Sequence, residues 1–455
     1  MPDSRKLTPD WAWATYEPDG DSGWNVRHWS HVMRRTGAGT TPESLQKAQA
    51  NRPADLARIM VAERVENETV LQDSASLAAS MKATGSLSTL PAWWLQRMLV
   101  TATPLQEKMT LLWHGHFTSS ADKVDNVELM LDQNALLRRE CLGNFARLTQ
   151  EMSQHPAMLI YLDAASSRKG HPNENYAREV MELFVLGEGE YTEQDIRELS
   201  RCLTGWEVRR DKFRFNPYQH DDGIKTLFGQ SGPFTGEEGI NLVLAHPAGP
   251  AFVARKLVRF FVADDLPLTK EFVEPLAQTL RENNWELAPV MERILASNLF
   301  YSEYSIGRMI RSPIDFFAGF LRNLQGSTNL IELSKGLGSL GQQLFFPPNV
   351  KGWDGGRTWI NSSTLLARTN LMHRLLQHSA TRFAGQSLSD YWQSRGCETF
   401  GEVYDAASKE LFAVPVSAER RESLEKEFPA DKPHNESRCR DYFSLLTSLP
   451  EFQLG

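Results

Sequence analysis

Residues 103–117 read TPLQEKMTLLWHGHF, and this stretch decides the class of the fold. Leu105, Met109, Leu112 and His116 recur at the spacing of one face of an α-helix. Thr103 stands at the N-cap position, Pro104 takes the first helical position, and Gln106 has the spacing of a capping box. The same punctuation returns at Thr41-Pro42-Glu43 and at Ser312-Pro313. Gly143, Gly187 and Gly205 follow helical stretches at positions suited to left-handed C-caps. Ile196, Leu199, Leu203 and Trp206 repeat the helical period. Outward from 103–117 the chain reads as helix after helix, about fifteen in all.

One segment breaks the pattern. Phe213 and Phe215 alternate, and Asp222-Gly223 leads into Lys225-Thr226-Leu227-Phe228, the signal of a β-hairpin. The expected fold is mainly α, a large multi-helical single domain with a small β-hairpin insertion. Its parts are an N-terminal extension (1–24), a helical core domain (25–384) with the insertion near 207–234, and a helical C-terminal region (385–455) packed on that core. A second irregular stretch, FFPPNVKGWDGGRTWINSS (345–363), carries two tryptophans and two prolines and reads as an ordered functional loop.

Composition narrows the function classes. Of 455 residues, 41% are apolar and 23% charged, which excludes a disordered or fibrous chain. Lysine and arginine (49) are outnumbered by aspartate and glutamate (57), for a net charge of −8, so no nucleic-acid partner is expected. Mean hydropathy is −0.41. The most apolar run, Ala251 to Ala263, is interrupted by Arg255, Lys256 and Arg259, so no membrane span is expected. The first twenty residues carry Asp3, Arg5, Lys6 and Asp10 without an apolar core. That predicts a cytoplasmic chain as given, or a periplasmic one if a signal was removed. Cys141, Cys202, Cys397 and Cys439 are too scattered for a disulfide scaffold or a cysteine-ligated metal.

Four polar clusters carry candidate chemistry. In WHGH, His116 lies on the apolar stripe while His114 points away, because residues two apart on a helix diverge by about 200°. They share an ion only if the helix stops near Gly115. In NENYAREVMELF (173–184), Tyr176, Val180, Leu183 and Phe184 form the buried face, with Asn175, Arg178, Glu179 and Glu182 beside it. A carboxylate at that edge, Glu179, suits a general acid or base, although Glu174–Arg178 and Arg178–Glu182 equally suit surface ion pairs. His220, Asp221 and Lys225 converge at the hairpin turn. Asn349, Lys351, Trp353, Asp354 and Trp359 suit stacking and hydrogen bonding to a sugar or peptide, or simply pin their loop to the core.

Several long motifs resemble a known family: WHGHFTSS (113–120), GNFARL (143–148), HPAMLIYLD (155–163), HPNENYAREVMELFVLGEGEYTEQDIRELSRCLTGW (171–206), HDDGIKTLFGQSGPFTG (220–236), ARKLVRFFV (254–262) and FFPPNVKGWDGGRTWINSSTLLART (345–369). Together they are similar to the large uncharacterised bacterial family catalogued as domain of unknown function 1800, over roughly residues 25 to 455. The resemblance implies a mostly helical protein. It also implies a possible partner that looks like the sulfatase and alkaline-phosphatase superfamily, and export of many relatives.

These residues predict a metal-assisted, hydrolase-like enzyme acting on a polar polymer or its sugar-like fragments. Glu179 is the expected base, Arg178 the stabiliser of developing charge, and Asn175 and Lys225 their companions. His114, His116, His220 and Asp221 are the expected ligands of a divalent zinc, iron or manganese ion. Asn349, Lys351, Trp353, Asp354 and Trp359 are the expected substrate platform. The alternatives are a metal-free lyase or glycosidase, a non-enzymatic partner of a sulfatase-like protein, and a non-haem iron oxidative enzyme.

Overall fold

Apolar residues at helical spacing along most of the chain fold as twenty-four α-helices among the described residues, with three two-stranded antiparallel ladders. The computed structural model describes residues 7–19, 23–37, 39 and 41–455, with Pro42 and Glu43 described in backbone alone. Asp3, Arg5 and Lys6 of the charged N-terminal stretch lie outside the described residues. The helices outnumber the expected fifteen because several, such as Ala121–Val124 and Pro156–Tyr161, last less than two turns and show no period in the sequence. No helix among the described residues is long and apolar enough to cross a membrane. All four cysteines are buried and free.

The caps follow the sequence except at the stretch that decides the fold and at Gly143, which does not take the left-handed conformation that Gly187 (φ 92°) and Gly205 (φ 83°) adopt. Thr41 forms its capping box with Ser44, and the Ser312 hydroxyl accepts from the Asp315 N–H. Thr103 makes no side-chain cap; its hydroxyl donates instead to Gln106 Oε1 at 3.1 Å.

The single hairpin expected near 207–234 is two. Trp206–Arg209 pairs with Lys212–Phe215, and Lys225–Leu227 pairs with Gln230–Gly232. The turns fall at Arg210-Asp211 and Phe228-Gly229, whose positive φ values suit tight hairpins. Asp222-Gly223 is the link between the two hairpins, where Asp221 Oδ1 accepts the Gly223 N–H and folds the backbone locally.

Two apolar clusters form the core. One gathers the N-terminal helices with the central helices between Leu136 and Tyr301; Trp13 of the N-terminal extension is buried in it and donates its indole N–H to Phe272 O at 2.7 Å. The other gathers residues from Met81 to Met130 with Ile314 to Phe452, and takes in the C-terminal helices through Trp392, Tyr442 and Phe443. The helix Pro104–His116 runs between them: Met109, Leu112 and Trp113 belong to the first and Leu111 to the second. That position makes its C-terminal end the place where the two cores, and the irregular loop, meet.

Candidate functional site: a cationic cleft beside the irregular loop

The helix does not stop at Gly115 but continues through His116, so the two histidines diverge into different cores. His114 packs against Trp94, Phe345 and Trp353, and its Nε2 accepts the Phe345 N–H at 3.1 Å. Burial lowers its pKa to about 3, so it stays a neutral acceptor. Its task is to hold the start of the loop, where Phe345 sits in the left-handed region at φ 65°. His116 packs against Phe145, Phe184 and Phe252. Its Nε2–H donates to Phe184 O at 2.9 Å, which leaves Nδ1 buried with no partner among the described residues. Burial first, and the charge of Lys256 second, hold it far below the ordinary histidine range.

The loop closes onto the end of this helix at two glycines. A Cβ on Gly352 (φ 77°) would stand 2.2 Å from Gly115 O, and one on Gly356 (φ 57°) would stand 2.1 Å from Asp264 Oδ2. Only glycine allows either approach. With the backbone this close, the Trp353 ring lies over Gly115 and its indole N–H is buried without a partner. Trp359 is buried, and its carbonyl accepts from Arg368 at 3.3 Å.

Between the loop, the helix Pro104–His116 and the helix Gly249–Phe261 lies a cleft of about 400 Å³. Lys351, Trp353, Asp354 and Trp359 of the expected platform line it, together with His116. Asn349 does not; its Oδ1 accepts the Lys351 N–H at 2.8 Å and shapes the turn that presents Lys351. Lys256 and Arg259 line the opposite wall and make no ion pair with a carboxylate among the described residues. The Lys256 ammonium stands 5.3 Å from the Phe252 ring centre, and burial, then Arg259, lowers its pKa. Glu179 is not among the residues that line the cleft, but it lies within reach of the Lys351 charge: burial raises its pKa, neighbouring Glu182 adds to this, and Lys351 opposes both.

The remaining expected residues are not gathered here. Arg178 leaves Glu182 and binds Glu193 bidentately at 2.9 and 2.8 Å, because the helix Glu174–Glu179 gives way to a π-helical turn over Val180–Val185 that shifts the phase of its faces. Glu182 instead accepts from Tyr191 Oη at 2.9 Å. Asn175 is exposed and reaches Leu162 O at 3.3 Å. His220 Nδ1 is bound to Thr204 O at 2.9 Å, and Asp221 accepts from Arg201 Nε at 2.7 Å. Lys225 is fully buried, donating to Asp221 O and to Phe234 O at 2.8 Å. No group of three or more metal-ligating side chains converges among the described residues, so His114, His116, His220 and Asp221 stand as separate structural contacts here.

Sequence reasoning missed Lys256, Arg259 and Asp264. The signal was present: Arg255, Lys256 and Arg259 interrupt an otherwise apolar helical run, and basic residues there need an outlet. Asp264 gives no such signal, since its place is fixed by Gly356, almost a hundred residues away. Neither the curated proteins nor the solved structures contain a match to the chain. A family model described as "Protein of unknown function (DUF1800)" matches residues 31–454, nearly the whole length and all the elements that build the cleft. The chain belongs to that family.

Proposed function

We propose that the cleft binds an acidic, ring-bearing polymer fragment and that the chain cleaves it by proton transfer between its own side chains, as a lyase or glycosidase. One observation carries the reading. Beside the Trp353 and Trp359 indoles, Lys256, Arg259 and Lys351 face one cavity, which Asp264, Asp315 and Asp354 also line, and make no ion pair with a carboxylate among the described residues. Indoles stack on sugar rings, and unpaired cations attract carboxylates or sulfates. His116 and Trp353 line the same cavity, and His116 Nδ1 and Trp353 Nε1 are buried with no hydrogen-bond partner among the described residues. In this reading Arg259 and Lys351 neutralise the substrate's acid group. Protonated Lys256 adds to that attraction, and its deprotonated fraction, larger than an ordinary lysine's, is the base; Glu179, which keeps its proton longer than an ordinary glutamate and feels the charge of Lys351, is the acid.

The test is incubation with polyuronates and sulfated polysaccharides beside their neutral counterparts, following both new reducing ends and ultraviolet absorbance from unsaturated products. Cleavage of an acidic polymer, lost in Lys256→Met and retained in Arg178→Ala, supports the reading. Preference for neutral polymers, or undiminished turnover by Lys256→Met, overturns it.

A further inference from the structure

Behind the cleft lies a second, smaller cavity of about 40 Å³, sharing Lys108, Phe260, Met309, Ile310 and Asp315 with it as a common wall. Its inner wall is made by three arginines, Arg34, Arg35 and Arg311, all buried. Arg35 donates to Ser305 O at 2.8 Å; Arg311 donates to Leu454 O at 2.9 Å and to Leu411 O at 2.6 Å. Arg34 has nothing comparable. It is 7% exposed, and Nε, Nη1 and Nη2 are all buried without a hydrogen-bond partner among the described residues. Among the described residues the one side-chain carboxylate lining the cavity, Asp315, is engaged by Lys108 and by the Ser312 hydroxyl at 2.9 Å, and the carboxyl end of Gly455, which also lines it, makes no hydrogen bond to Arg34. The charges felt by Arg34 are those of Arg311 and Arg35, both repulsive and both adding to the effect of burial.

A guanidinium stripped of water and given no acceptor is among the costliest arrangements a core can hold. Planar N–H forks of this kind match the oxygens of phosphate and carboxylate. The cavity has room for about three waters at roughly 10–15 Å³ each, or one small oxyanion in their place. We propose that Arg34, Arg35 and Arg311 form an oxyanion pocket, occupied by free phosphate or by the phosphate or carboxylate end of a ligand reaching in from the cleft. The pocket stands apart from the chemistry proposed for the cleft, and its test reads no activity.

The experiment uses the full chain. Its melting temperature is followed against inorganic phosphate, glucose 6-phosphate and glucose at constant ionic strength, and phosphate bound per chain is counted by equilibrium dialysis. A ligand that binds only the folded state raises the melting temperature as its concentration passes its dissociation constant. The expected result is a saturable rise with phosphate, one phosphate per chain, and no rise with glucose. Arg34→Met should melt no lower than wild type and lose the phosphate response; Lys256→Met should keep it. A stronger response to glucose 6-phosphate than to phosphate assigns the pocket to the end of a larger ligand; equal or weaker response assigns it to the free ion. Should Arg34→Met not fold, Arg35→Met and the dialysis stoichiometry decide. A phosphate response unchanged in these variants, or no bound phosphate in wild type, overturns the proposal.

Discussion

Two polar regions flank the same central helices and differ in how their donors and acceptors are spent. Around the second hairpin, Asp221 holds Arg201, Lys225 holds two carbonyls, and His220 holds Thr204 O. On residues that line the cleft and its inner pocket, His116 Nδ1, Trp353 Nε1 and the whole Arg34 guanidinium are buried with no hydrogen-bond partner among the described residues. The hairpin region resembles a catalytic constellation in sequence because an imidazole, a carboxylate and an amine lie within six residues. In three dimensions those groups satisfy one another and the backbone around them. A closed polar network specifies a fold, whereas an open one asks for a ligand.

The contrast is broken most severely by Lys225→Ala. It removes two hydrogen bonds and a fully buried side chain, and should destabilise the chain by about 3 kcal/mol while leaving ligand affinity in the cleft unchanged. Thermal melting and ligand titration on the same variant check both halves. Next come the two indoles. Trp359→Ala should cost about 3 kcal/mol, because that ring is buried against the core. Trp353→Ala should melt closer to wild type and lose more affinity, because its ring faces the cleft from an intermediate position. Equal losses of stability with equal affinities would erase the distinction between platform and anchor.

Acid and alkali sharpen the comparison in opposite directions. The hydrogen bond from Arg201 is the main cause holding the Asp221 carboxyl below the ordinary carboxylate range. The folded pKa is the lower one, so this pair stabilises the fold above about pH 4 and its contribution fades as pH falls further. Asp221→Asn should flatten that acid limb of the stability profile. Lys256 runs the other way. Its folded pKa lies below the ordinary value of about 10.4, so its charge opposes folding at neutral pH, and that cost shrinks once pH rises past the depressed value and is gone above about pH 10.4. Affinity for an acidic ligand should fall over the same alkaline range, and Lys256→Arg should move the fall to higher pH. The smallest effect belongs to Arg178→Ala. Its ion pair with Glu193 is solvent-exposed, and neither melting temperature nor cleft affinity should change measurably.

The helical fold was legible because period and punctuation are local. Leu105, Met109 and Leu112 declare one helical face, and the divergence of His114 from His116 follows from helix geometry alone. The number of hairpins was not legible, since Arg210 and Asp211 adopt positive φ without glycine. Trp353, Trp359, Lys351 and Asp354 line one cavity because they share one irregular loop, and that loop is visible in the sequence as a continuous stretch. Arg178 was misplaced because a π-helical turn changes which residues are neighbours, and nothing in VMELFV announces it. Arg34 and Lys256 were passed over because their significance lies in what they lack, and a missing partner is visible only once the chain is folded.

The central claim, that the cleft and not the hairpin region receives the ligand, is tested by isothermal titration of oligogalacturonides and neutral galacto-oligosaccharides of equal length against wild type, Lys256→Met and Asp221→Asn. Wild type and Asp221→Asn should bind the acidic oligomer alike and in preference to the neutral one, and Lys256→Met should bind it about tenfold more weakly, the equivalent of about 1.4 kcal/mol. Undiminished binding by Lys256→Met together with loss in Asp221→Asn would place the ligand at the hairpin and contradict the account.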